Sequence, residues 1–513
     1  MKPWFDVRGV GAGTSRIQRR DAEVAIPARL LAEQAFSRTA GAPLVEGNRI
    51  RLLRDARENY PAWLQAIAAA RRHVHFECYF ICADAIGEMF AAALLEKASS
   101  GVPVRLIYDW MGNFNRAPRA FWSRLRAGGV EVRCYNPPRW DAPLGWVSRD
   151  HRKLLAVDNE VAFITGLCVG QMWAGDPARN LEPWRDTGVE VRGPAVANVE
   201  RAFAQTWMSL GTAIPAAAAA ADLPAPAGDV RLRIVASEPA TAGMFRLDQL
   251  VATLARERVW LTDAYYAGTT AYVQTLRAAA RQGVDVRLLV PGATDIPMLR
   301  PLSRAGYRLL LEAGIRVFEW NGSMLHAKTA VVDGRWARVG STNLNMASWF
   351  GNCELDAVVE DQPFAQDMER MYLHDLENAT EIVLDTKDRV RAPLGARAHS
   401  RGNVARGTGS AGRAAAGAVR IGNALGAAFT ARRVLGPVEA RMMVTAGFTL
   451  LACALLFAAF PRLLAYPLAV VLLWIATALL YRGYRLQRER KQPAAADSVE
   501  PPPPSPTAQG EQQ

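Results

Sequence analysis

Two stretches decide how this chain reads: His151-Arg152-Lys153-Leu154-Leu155-Ala156-Val157-Asp158 and His326-Ala327-Lys328-Thr329-Ala330-Val331-Val332-Asp333. Both have the form His-x-Lys-x4-Asp. Their flanks repeat as well. Val74-His75-Phe76-Glu77-Cys78-Tyr79-Phe80 is β-rich, a helix pattern follows over 88–98, and Gly101-Val102-Pro103-Val104-Arg105-Leu106 reads as the next strand. The other half has Val259-Trp260-Leu261-Thr262-Asp263-Ala264-Tyr265-Tyr266, a helix pattern over 271–281, then Gly283-Val284-Asp285-Val286-Arg287-Leu288. Gly129-Val130-Glu131-Val132-Arg133-Cys134-Tyr135-Asn136 likewise parallels Gly314-Ile315-Arg316-Val317-Phe318-Glu319-Trp320-Asn321. Strands alternating with amphipathic helices predict an α/β fold with largely parallel sheets. Two such sandwich halves in one chain predict a pseudo-twofold axis between them.

Residues two apart on a strand share a face. His151 is therefore expected beside Lys153, and His326 beside Lys328. An imidazole next to an ammonium suits a phosphate: one attacks or protonates while the other neutralises oxygen charge. The second motif continues into Gly340-Ser341-Thr342-Asn343, where Ser341 and Asn343 can donate hydrogen bonds to phosphoryl oxygens. One His-x-Lys alone is as readily chance as chemistry. Here two of only six histidines occupy equivalent points of a repeat. His73, His75, His374 and His399 lack such spacing and read as structural or surface residues.

The chain has 513 residues, 50% hydrophobic and 21% charged, which excludes a disordered or fibrous protein. Its net charge of +12 predicts attraction to a polyanion, nucleic acid or anionic membrane. The six cysteines are scattered and give neither a disulfide framework nor a CxxC zinc pair. The first twenty residues carry no signal-peptide pattern. Met442 to Phe460 and Leu463 to Tyr481 are uncharged throughout, each close to the roughly 20 residues of a bilayer-spanning helix. The competing reading is a buried helical hairpin. Arg432, Arg433 and Arg441 precede the pair, and Arg482, Arg485, Arg488, Arg490 and Lys491 follow it. Two spans with basic residues at both outer flanks predict a hairpin whose short turn faces out, with everything before residue 442 in the cytoplasm. The expected organisation is an extension (1–44), a first half (45–211), a linker (212–228), a second half (229–390), a basic linker (391–441), two transmembrane helices (442–481) and a basic, then Pro-rich disordered tail (482–513). Within the basic linker, 419–434 reads as a membrane-surface helix or as a solvated one.

With these residues in place, the chain resembles the phospholipase D superfamily, and within it bacterial cardiolipin synthases. The resemblance covers about residues 45–390. It rests on the two motifs, on Arg149-Asp150 before the first, and on Trp184-Arg185-Asp186-Thr187, Val191-Arg192-Gly193-Pro194-Ala195-Val196 and Phe203…Trp207 after it. In the second half it rests on Arg287-Leu288-Leu289-Val290-Pro291-Gly292, Asp295, Arg304, Tyr307 and Met324-Leu325-His326-Ala327-Lys328. It implies two-step, metal-free phosphoryl transfer through a phosphohistidine, with no cofactor. By this analogy His151 is the nucleophile and His326 the acid/base; the residues themselves do not separate the two. Lys153, Lys328, Ser341 and Asn343 would hold the phosphate. Asp158 and Asp333 complete the catalytic motifs and are expected to buttress the fold rather than touch substrate. A histidine nucleophile needs its second nitrogen oriented by an acceptor. Asp186 and Glu354 lie downstream of the two motifs at similar distances, where relatives carry an acidic residue.

One departure stands out. The first motif runs into Thr165-Gly166-Leu167-Cys168, so Cys168 replaces an amide donor. Just before the first motif, Pro137 to Ser148 carries Trp140 and Trp146 in a Pro-rich loop, which reads as lipid-touching or as packed on the protein. Four functions are compatible with these residues. The favoured one is a phosphatidyltransferase making cardiolipin from two phosphatidylglycerols with release of glycerol, or with phosphatidylethanolamine as donor. The alternatives are a hydrolytic phospholipase D releasing phosphatidic acid, a membrane-tethered nuclease, and a non-catalytic lipid-binding scaffold. The complete motif pair disfavours the last. The expected partners are an anionic phospholipid membrane and phosphatidylglycerol-type substrates, with nucleic acid disfavoured.

Overall fold

The computed structural model describes residues 33–140, 148–215, 223–295, 299–384, 390–391, 447–448 and 451–491. The contacts divide the chain into two units. One is Met1–Pro137 with Trp146–Val444; the other is Pro138–Gly145 with Thr445–Gln513.

The first unit holds the repeat, strand for strand. The first half runs β1 (Val45–Arg54), α1 (Asp55–Ala69), β2 (Val74–Cys78), α2 (Ala85–Ser99), β3 (Val104–Asp109), α3 (Arg119–Ala127), β4 (Glu131–Tyr135), β5 (Arg149–Asp150), β6 (Lys153–Val157), β7 (Val161–Thr165), β8 (Thr187–Arg192) and α4 (Val196–Ser209). The second runs β9 (Val230–Ser237), α5 (Gly243–Leu254), β10 (Arg258–Thr262), α6 (Thr270–Arg281), β11 (Asp285–Pro291), α7 (Leu299–Leu311), β12 (Arg316–Trp320), β13 (Thr329–Val332), β14 (Trp336–Gly340), β15 (Asn352–Val359) and α8 (Gln362–Glu377), then β16 (Ala379–Leu384) and β17 (Val390–Arg391).

The sheet orders are β4-β3-β2-β6-β7-β8-β1 and β12-β11-β10-β13-β14-β15-β9. In each, the strands joined by crossover helices pair in parallel and the remainder are antiparallel, so the sheets are mixed rather than largely parallel. β1 also pairs with β9, joining the two halves edge to edge. Inner strands such as β2, β6, β7 and β14 are buried along their whole length, as expected for sheets covered on both faces.

Three apolar clusters follow from this layering. One lies under α1, α2 and α3 of the first half, one under α5 and α6 of the second. The third fills the space between the sheets, where Phe203 and Trp207 of α4 meet Phe364, Met368 and Tyr372 of α8. Alternation along β6 feeds two of them: Leu154 and Ala156 enter the central cluster, Leu155 and Val157 the outer one.

In the second unit, α9 (Arg462–Lys491) contains one helix, Ala465–Arg485, long and apolar enough to cross a membrane. It spans the second apolar run of the sequence. The first run, Met442 to Phe460, lies partly outside the described residues; 447–448 and 451–459 are helical. The expected pair of spans is thus one qualifying helix among the described residues. Trp140, 53% exposed, has its ring 4.6 Å from that of Tyr481, and its carbonyl accepts from Trp474 Nε1 at 2.7 Å. Trp146, the 1–32 part of the extension, most of the basic linker with its 419–434 helix, and the Pro-rich tail lie outside the described residues.

Candidate active site

Neither motif histidine sits on its strand. β6 begins at Lys153 and β13 at Thr329, so His151 and the whole His326-Ala327-Lys328 stretch precede them. The reason is that their backbones pair with the opposite half. β5 runs parallel to the start of β15, matching Asp150 with Cys353, and His151 N–H donates to Cys353 O at 2.9 Å. Arg185 N–H donates to Met324 O at 2.9 Å, and His326 N–H to Arg185 O at 2.7 Å. These two short ladders across the pseudo-twofold axis set the register of everything that follows.

Each ladder places a carboxylate of one half behind the imidazole of the other. His151 Nδ1 lies 2.8 Å from Glu354 Oε2, and His326 Nδ1 lies 2.7 Å from Asp186 Oδ2. Both carboxylates are fully buried. Burial pushes them upward, but the neighbouring histidine and lysine overcome it and hold each below its ordinary range. The imidazoles move down too. Burial lowers His151 against the opposing pull of Glu354. Burial and then Lys328 push His326 to about 3. Both rings are therefore neutral near pH 7. An ionised carboxylate only accepts, so Nδ1 carries the proton and Nε2 carries the lone pair.

The lysines lie beside these rings. Lys153 Nζ donates to His151 O at 2.5 Å. Lys328 Nζ donates to His326 O and stands 2.9 Å from His326 Nδ1 and 3.1 Å from Nε2. Burial brings Lys328 down to about 8. Tyr79 and Tyr265 form an aromatic wall in each half, edge-on to His151 at 5.0 Å and His326 at 5.7 Å, and facing Lys153 and Lys328. Trp173 and Trp184 add a second wall to His326, and Trp173 Nε1 donates to Asp186. None of these four was assigned to the site from sequence, although Tyr79, Tyr265 and Trp184 stand in stretches that the repeat and the resemblance single out.

The motif aspartates do other work. Asp158 accepts the N–H groups of Arg71, Arg72 and His73 at 2.7–2.8 Å, and Asp333 those of Arg256, Glu257 and Arg258 at 2.8–2.9 Å. Each is the first residue of its hairpin turn, with φ of 59° and 50°, and each clamps the loop that leads into a parallel strand. Both are turn residues that fix backbone and do not join the reacting groups, so counting them with the catalytic side chains is corrected.

The phosphate donors need the same correction. Ser341 Oγ donates to Glu354 Oε2 at 2.6 Å and accepts Leu355 N–H at 2.9 Å, so it steadies the carboxylate behind His151. Thr165 Oγ1 likewise turns to Leu167 N–H and Thr187 O. Asn343, 4% exposed, is the candidate that keeps a donor: Nδ2 gives one N–H to Ser348 Oγ at 3.4 Å, and its second N–H is the one a phosphoryl oxygen can take. Gly166, the counterpart of Ser341, leaves room for Asp186. A Cβ there would stand 2.2 Å from Asp186 Oδ1. Cys168 is fully buried; although burial raises its thiol, the hydrogen bond from Cys78 and the charge of Lys153 bring it down to about 7.

Comparison with known proteins identifies the family. The profile of the family described as cardiolipin synthase, PLD-like domain, matches residues 63–207 and 251–376. Cardiolipin synthase A of Pseudomonas aeruginosa (strain LESB58) is 34% identical over 366 residues, covering 70% of this chain and 73% of that protein. The cardiolipin synthase of Alkalihalophilus pseudofirmus is 31% identical over 345 residues, covering 66% and 68%. The crystal structure of phosphatidylserine synthase from Haemophilus influenzae Rd KW20 shares the fold, with a TM-score of 0.54 at 13% identity over 68% of this chain and 91% of that one.

Proposed function

The chain belongs to the cardiolipin synthase family of the phospholipase D superfamily, and from that membership we propose a phosphatidyltransferase of the cardiolipin synthase type that joins two phosphatidylglycerols. The observation that carries it is the pair of buried, neutral imidazoles, each held at Nδ1 by a carboxylate from the opposite half with a lysine alongside.

His151 is the nucleophile. Its Nε2 has no hydrogen-bond partner among the described residues, whereas the Lys328 ammonium straddles the His326 ring, 2.9 Å from Nδ1 and 3.1 Å from Nε2. Nε2 of His151 attacks phosphorus, the P–O bond to the departing glycerol breaks, and His326 gives that oxygen its proton. The phosphodiester anion beside His326 favours the protonated ring this step requires. In the second step the glycerol hydroxyl of another phosphatidylglycerol passes its proton to His326 and attacks phosphorus. The P–N bond breaks and His151 is restored. Lys153, Lys328 and Asn343 neutralise or bind the phosphoryl oxygens. The apolar helix Ala465–Arg485 brings the catalyst to a membrane. The arginines beyond Tyr481 support a bacterial inner membrane with the catalytic halves in the cytoplasm.

The test is to reconstitute the protein in liposomes with labelled phosphatidylglycerol and resolve the products. Cardiolipin with free glycerol is expected. Phosphatidic acid alone would move the reading to hydrolysis by water of the same intermediate, and no lipid turnover would refute both.

A further inference from the structure

Two more histidines are buried together, apart from the paired motifs. His73 stands just before β2 and His75 on it, so their side chains leave the same face of extended backbone. Glu200 of α4 covers that face. His73 Nε2 lies 2.8 Å from Glu200 Oε1, and His75 Nδ1 lies 2.5 Å from Glu200 Oε2. The three ligand-capable atoms all fall within 4.8 Å of one another. We propose that His73, His75 and Glu200 form a site for one divalent transition-metal ion of the zinc type, tying α4 to β2.

Two imidazole nitrogens and one carboxylate oxygen are a donor set that zinc accepts at about 2.0–2.2 Å, with water completing a tetrahedron. Calcium and magnesium prefer all-oxygen shells. The ligands are already held in place. Asp158 grips the backbone of 71–73, and the His75 ring is stacked between His73 at 4.3 Å and Phe203 at 4.4 Å. His73 and His75 are buried, while the Glu200 side chain keeps 14% of its surface in solvent, an edge for entry and for the fourth ligand. On binding, each imidazole lone pair replaces the N–H aimed at Glu200, and the remaining proton sits on the far nitrogen.

That last requirement gives the proposal its sharpest consequence. The far nitrogen of His75, Nε2, is 3.3 Å from Arg105 Nη1. Once protonated it faces a donor with a donor, so Arg105 opposes the ion. Arg105 can turn wholly to Glu131, 3.1 Å from its Nε.

The full-length protein in detergent, stripped with chelator, is titrated with Zn²⁺ by calorimetry and with Co²⁺ by visible absorption. One tightly held ion per chain and the intense d–d bands of tetrahedral cobalt are expected. Glu200→Gln and His75→Gln each remove a ligand and should weaken binding by more than the about 10- to 100-fold lost with a hydrogen-bond partner behind a ligand, and Arg105→Gln should tighten it. His374→Ala, at the exposed His374–Glu377 pair, should change nothing. Absence of tetrahedral cobalt bands in the unmodified protein overturns the proposal without reference to any variant. So does zinc binding of equal strength in the unmodified protein and Glu200→Gln.

Discussion

Replacing Asp186 with Asn would leave an acceptor near His326 Nδ1 but remove the buried charge that fixes which nitrogen is protonated. Glu354→Gln would do the same to His151. Each is expected to lower kcat by about 10²- to 10⁴-fold, read as labelled phosphatidylglycerol turnover, with the fold intact by circular dichroism. Gly166→Ala acts on the same pair through space alone. Its methyl would meet Asp186 Oδ1 and Cγ, so the carboxylate must retreat from His326. We expect turnover to fall towards that of Asp186→Asn, although neither titratable group has changed. Ala at the equivalent Ser341 should act differently, by freeing Glu354 rather than displacing it. The pH profile follows from Lys328. Burial brings it to about 8, so it is charged below that pH and loses its charge above it. kcat/KM is expected to decline above about pH 8, well before an ordinary lysine would titrate near 10.4; a flat profile to pH 10 would remove Lys328 from phosphate binding.

At the scale of elements, the two hairpins that follow the motif lysines carry their aspartates at the turn, where a left-handed backbone suits Asp and Asn. Asp158 accepts three N–H groups from the 71–73 loop. Asp158→Asn retains part of this acceptance and should cost about 1–3 kcal/mol of stability, seen as a lower Tm. Turnover per folded molecule should stay near that of the unmodified chain at low temperature. A loss of kcat without loss of Tm would instead place Asp158 in the chemistry. These hairpins also show how far sequence could reach. The sequence pattern found β6 and β13, because the aliphatic runs after the motif lysines have few other uses, but it left β7 and β14 unread. It put His151 and His326 on strands because the pattern runs straight through them. The chain leaves the sheet there to pair with residues of the opposite half, and a partner so distant leaves no mark on local spacing. The same holds for Ser341, read as a phosphate donor. Nothing in Gly-Ser-Thr-Asn discloses that its hydroxyl is engaged by Glu354.

At the scale of the molecule, α9 is 30 residues long and runs from the apolar stretch into basic sequence, as a membrane helix with an interfacial end would. Truncation after residue 441 should move the protein out of the membrane fraction. It should also lower turnover on vesicles more than turnover on detergent-dispersed lipid. Equal loss on both would mean that the segment serves the catalytic unit itself.

The repeat, the alternation of strands and helices, the four motif side chains and the apolar segment were all determined by sequence alone, because each is a local pattern of residue types with one economical structural use. Tertiary structure alone decided which carboxylate serves which histidine. Asp186 and Glu354 follow their motifs at similar distances, so the sequence is equally consistent with each half completing itself. The cross-axis ladders of 149–151 with 352–354 and 184–186 with 324–326 choose the exchange. A hydrogen bond is settled by a distance of about 3 Å between atoms, and that distance exists only once the two halves have closed on each other.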